Sequence, residues 1–111
     1  MKLTLSKSWE LCVDGQWKWI VKQIRAGARD VWGLKRQWLR ENGIDSSEVS
    51  NHCFFCEYTS NFKHDDCRLC PGCKIDKSFS CMDKKYNFEK KPLKFYAKLR
   101  ALNKIRLEKK G

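Results

Sequence analysis

All but one of the seven cysteines lie between Cys53 and Cys81, in the order Cys53-x-x-Cys56, Cys67-x-x-Cys70-x-x-Cys73, Cys81. His52 and His64 share that stretch. A Cys-x-x-Cys pair presents two sulfurs to one ion without bending the chain far, and two such pairs complete a tetrahedron around Zn²⁺. Cys53, Cys56, Cys67 and Cys70 form the simplest set. Cys81 is a credible replacement for either member of the second pair, and Cys73 is a weaker one. An odd number of cysteines suits a closed disulfide framework poorly. Met1–Trp9 is too short and too polar for a secretory signal, so a reducing, cytoplasmic setting is expected, where paired Cys-x-x-Cys motifs read as metal ligands. The histidines are expected at the surface or behind the ligands rather than on the ion.

Two other chemistries compete with a structural zinc. Cys67-x-x-Cys70-x-x-Cys73 matches the first three positions of a bacterial ferredoxin run. Lys77 stands where the fourth cysteine of that run belongs, so Cys81, Cys53 or Cys56 would have to complete an iron–sulfur cluster. That leaves the cluster as the minority alternative. A catalytic zinc needs an open position and a nearby general base. The His-x-Glu of deaminases and the His-Glu-x-x-His of metalloproteases are both missing from the sequence. It has no phosphate-binding glycine loop either, so a non-enzyme with no small-molecule substrate is expected.

The run Cys53-x-x-Cys56, then Asp66-Cys67-x-x-Cys70-Pro71, then Cys81 followed by Tyr86, resembles small uncharacterised cysteine-rich zinc-binding proteins of tailed bacteriophages and prophages. The resemblance covers residues 53–86, and Cys73 lies outside its pattern. It implies an accessory protein working in the host bacterial cytoplasm, and it assigns no reaction.

Charge points to the partner. The net charge of +11 is uneven. Residues 1–51 carry nine Lys/Arg against six Asp/Glu, residues 52–89 six of each, and residues 90–111 nine against one. Lys90, Lys91, Lys94, Lys98, Arg100, Lys104 and Arg106 are therefore the candidate phosphate contacts. The expected partner is nucleic acid or, failing that, an acidic host protein that a basic inhibitor or adaptor would capture. A solvated helix face that only aids solubility is the plain alternative. No stretch approaches the ~20 apolar residues of a membrane span.

These residues need elements to position them. The chain is expected to form one mainly α-helical domain with three parts. Residues 1–51 are a Trp-rich helical part, residues 52–89 an irregular Cys-rich zinc loop, and residues 90–111 a basic helix. Leu5, Trp9, Cys12/Val13, Ile20 and Ile24 recur at helical spacing from Leu5 to Ala26. Asp14-Gly15 is expected to split that segment, Gly27 to end it, and Cys12 to be a core residue rather than a ligand. Asp30 should cap a helix whose inner face is Val31, Leu34, Trp38 and Leu39, with Lys35, Arg36 and Arg40 on other faces. Asn42-Gly43-Ile44 should end it, and Asp45-Ser46-Ser47-Glu48 has capping-box spacing for a third helix from Ser46.

The stretch Trp38–Asn51 resembles a helix-turn-helix, which would turn Ser46, Ser47, Ser50 and Asn51 towards a DNA major groove. Leu39, Asn42 and Glu48 depart from that pattern and favour an ordinary helical hairpin. Between His52 and Asn87 the periodicity fails, so turns and a small hairpin are expected, with one ring of Phe54-Phe55 in the core and the other over the metal. Pro92 fits the first turn of a last helix whose inner stripe is Phe95, Leu99, Leu102 and Ile105, with Leu107–Gly111 frayed.

Overall fold

A computed structural model describes residues 3–44, 54–60, 70–81 and 83–110. The described residues are helical or in turns, with no strand among them, so the mainly α expectation holds and the hairpin expected around the cysteines is not found there. Among them, no helix is long and apolar enough to cross a membrane.

The first helical run is α1 (Leu5–Trp9), a π-helical segment (Glu10–Trp17) and α2 (Lys18–Arg25), joined without a break. Thr4 caps it, its Oγ1 accepting from Lys7 N at 3.1 Å. The π segment has a reason in the sequence. Through and around it the buried residues Trp9, Val13, Trp17 and Val21 recur every fourth position, as do Ser8, Cys12, Gln16 and Ile20. An α-helix at about 3.6 residues per turn would carry a period-four row steadily round its surface. Bonds from i to i+5 widen the turn and hold both rows on one face. Gln16 rides inward with them, its amide Nε2 and Oε1 buried without a partner among the described residues. Asp14-Gly15 therefore does not split the helix, as its composition suggests. A Cβ on Gly15 would stand 3.0 Å from Cζ2 of Trp38, so the glycine admits the indole of the next helix.

Gly27 and Gly43 both take positive φ, 114° and 70°. Each ends its helix with the paired bonds of a Schellman turn. Gly27 N donates to Ile24 O and Ala28 N to Gln23 O; Gly43 N donates to Arg40 O and Ile44 N to Leu39 O. Between them runs α3 (Val31–Glu41), capped by Asp30, whose Oδ1 accepts from Gly33 N at 3.1 Å. Val31, Leu34, Trp38 and Leu39 are buried as expected, but so is Lys35, which is only 3% exposed. Its ammonium lies 5.5 Å from the Trp17 ring, 5.2 Å from Trp32 and 4.6 Å from Phe88. Ring faces attract a cation, and they let this lysine stem sink into the core.

The described part of the middle holds two short helices, followed by turns. In α4 (Phe54–Ser60) both phenylalanines are core residues. Phe54 meets Trp38 edge-on at 5.6 Å and Phe55 meets Trp9 at 4.7 Å. α5 (Pro71–Ile75) begins on a proline and packs against the last helix. Gly72 is required there: a Cβ would come within 2.6 Å of the buried Phe79 ring. The chain then turns on carboxylates and amides. Asp76, Asp83 and Asn87 accept backbone N–H groups two or three residues on.

The last helix is α6 (Pro92–Lys110). Phe95, Leu99 and Leu102 are buried, but Ile105 is 40% exposed and lies off that stripe. Phe95 meets Trp17 at 4.8 Å, and Phe88 joins both rings, which fixes α6 across the first helical run.

Candidate nucleic-acid interface

Lys18, Lys22 and Arg25 stand at i, i+4 and i+7 along α2, so they share one face. All three are exposed, while Ile20 and Val21 between them are buried. The same face borders α6: Val21, Lys22 and Arg25 line one groove with Tyr96 and Arg100. The Arg100 guanidinium stands 5.8 Å from the Tyr96 ring centre. Towards the other end, Ile24, Ala28 and Arg29 face Lys90, Lys91, Leu93 and Lys94 across a second groove of about 390 Å³. Arg100 and Lys104 border a third, shared with Asp14 and Glu108. Two distant parts of the chain thus set exposed cations along the sides of these grooves.

The seven tail cations divide. Lys90, Lys91, Lys94, Arg100 and Lys104 are exposed beside these grooves, and among the described residues none is in an ion pair. Lys98 and Arg106 are engaged inside the protein instead. Lys98 Nζ lies 2.7 Å from Asp76 Oδ2 and 5.5 Å from the Tyr86 ring. That hydrogen bond from Lys98, followed by those from the Ser78 hydroxyl and N–H, lowers the Asp76 carboxyl from 3.8 to about 2. Arg106 lies on the line of the buried stripe, 5.1 Å from the Trp9 ring, with its Nε and a terminal nitrogen donating to Asn103 Oδ1. Lys18, Lys22, Arg25 and Arg29 are the cations that charge counting passed over. Their i, i+4, i+7, i+11 spacing was visible, but Asp and Glu elsewhere in residues 1–51 masked it in the sum.

The cysteines are placed only in part. Cys12 is buried in the core, as expected. Cys70 precedes α5, Cys73 lies within it and Cys81 follows it, all three partly buried against the core. The Cys73 thiol donates to Phe79 O at 3.0 Å. Cys56 has its backbone in α4. Cys53 and Cys67, with His52 and His64, lie outside the described residues, as does the third helix expected from Ser46 with the DNA-facing Ser46, Ser47, Ser50 and Asn51. Among the described residues, no three His, Cys, Asp or Glu side chains form a group that could hold a metal ion.

No protein-family model, curated protein or solved structure matches the chain.

Proposed function

We propose that this protein is a non-enzymatic nucleic-acid-binding module whose contacts are mainly to phosphates. One observation carries the reading: exposed cations of α2 and α6 converge on adjoining grooves although some 70 residues separate them in sequence. Lysine and arginine on rigid helices fix the orientation of a phosphate backbone and bring little choice of sequence. Asp14, Glu89 and Glu108 border the grooves and would confine the backbone to the cationic track between them.

The zinc belongs to this proposal as a structural element, held by four of Cys53, Cys56, Cys67, Cys70 and Cys81. Cys70 and Cys81 flank α5, and α5 packs on α6, so an ion bound there would brace the helix that carries half of the cationic surface.

The test is binding to short labelled DNA and RNA across a salt series. Micromolar or tighter binding at low salt, with log K falling linearly against log salt, is expected. No binding at low salt removes the proposal. A protein partner retained from bacterial lysate after nuclease treatment, together with no nucleic-acid binding, would favour the acidic-protein reading of the same surface.

A further inference from the structure

Trp32 breaks the pattern of its neighbours. Trp9, Trp17 and Trp38 are all buried, whereas Trp32 is 40% exposed. Its ring is nonetheless held. Phe88 meets it edge-on at 5.5 Å and 83°, and the buried Lys35 ammonium stands 5.2 Å from its centre. Lys35 also faces Trp17 and Phe88, so the indole is fixed to the core through a cation that three rings share.

The surroundings of that ring are cationic. Arg36 lies one turn further along α3 and is exposed, which places it beside Trp32 on the helix surface. Arg29 lies three residues before it. Phe88, in contact with the ring, is followed by Glu89 and then by Lys90 and Lys91, and these lysines face Arg29 across the second groove. Two carboxylates are near. Asp30 is turned to the Gly33 N–H at the start of α3, and Glu89 borders the groove.

We infer that Trp32 is a base-stacking platform and that the ligand of this surface is a single-stranded nucleic acid. This rests on the phosphate-binding proposal above and narrows it. Stacking needs an unpaired base with an open face, and a duplex offers that only at its ends. Sequence-tolerant single-strand binding combines a cationic track with an aromatic face, and both are present here. A ring already fixed by Phe88 and Lys35 gives up little freedom when a base settles on it. Arg29, Arg36, Lys90 and Lys91 would hold the phosphates on either side of that base.

The experiment compares an oligothymidylate with an abasic strand of the same length and charge, against the wild type and W32A, with W32F as a second variant. The wild type should prefer the strand with bases by roughly tenfold, and W32A should lose that preference while keeping the same salt slope. W32F should retain most of it, and duplex binding should be alike in all three. Because the two strands are compared on one protein, a loss of folded material in W32A cancels. Equal preference for bases in wild type and W32A overturns the inference while leaving phosphate binding intact. Failure of the wild type to bind either strand overturns both.

Discussion

If the α2 cations are half of the interface, they should show as counterions released on binding. The perturbation is the triple variant Lys18→Gln, Lys22→Gln, Arg25→Gln. All three side chains are exposed and outside ion pairs among the described residues, so each change should alter stability by no more than about 0.5 kcal/mol. Each phosphate contact contributes about 0.7 to the slope of log K against log salt on a single strand and about 0.9 on a duplex. Three lost contacts therefore flatten the single-strand slope by about 2. Between about 50 and about 200 mM salt, the wild-type affinity should then fall about 20-fold further than that of the variant.

Fluorescence anisotropy with a labelled oligonucleotide reads both slopes. The matched control is Lys98→Gln, which removes one of the seven tail cations but one already spent on Asp76. Its slope should equal the wild type's. An unchanged slope in the α2 triple variant, or a slope in Lys98→Gln reduced as much as one phosphate contact requires, would refute the division of cations made above.

Three further outcomes are expected. Asp76 ionises with a pKa of about 2 in the folded protein against 3.8 ordinarily, so its ion pair stabilises the fold above about pH 4 and is lost as pH falls from 3.8 towards 2; thermal unfolding should show Asp76→Asn destabilised at neutral pH and converging with wild type across that window. Elemental analysis should find about one zinc per chain in colourless protein, with Cys73→Ser and Cys12→Ala keeping it, and chelation should lower the Tm. Unchanged thermal stability after metal removal, or a brown protein with iron, overturns the zinc assignment. Leu99→Ala, at a fully buried position on α6, should cost about 2–5 kcal/mol and lower Tm by on the order of 10 °C, whereas Ile105→Ala should change it little.

Local punctuation was legible in this sequence. Asp30, Gly27 and Gly43 act through bonds within five positions, and Pro92 through its own fixed φ, so their roles need no knowledge of the fold. Most of the inner faces of α3 and α6 was legible for the same reason, because a helix period is a local property; Lys35 and Ile105 are the exceptions. Three features were not. The π segment depends on a period-four row, which a search at period 3.6 reads as a somewhat broad α-helical stripe. The burial of Phe54 and Phe55 depends on Trp38 and Trp9, which lie far away in sequence. The burial of Lys35 depends on Phe88, more than 50 residues further on.

Lys35 also shows what counting charges leaves out. A lysine looks like surface until aromatic rings are placed around it, and this chain has 13% aromatic residues. The rings divide the cations into two groups. Lys35 and Arg106 are drawn against Trp17, Trp32, Phe88 and Trp9, and Lys98 is held between Tyr86 and Asp76, so their charges are committed to the fold. Arg100 also stands by a ring but remains exposed, so Tyr96 does not withdraw it from a ligand. The net charge of +11 thus overstates what the tail can offer a phosphate backbone and understates what α2 can. Affinity should follow the exposed cations on the two helices, and it should survive the loss of any cation that a buried ring or carboxylate already holds, provided the fold survives too.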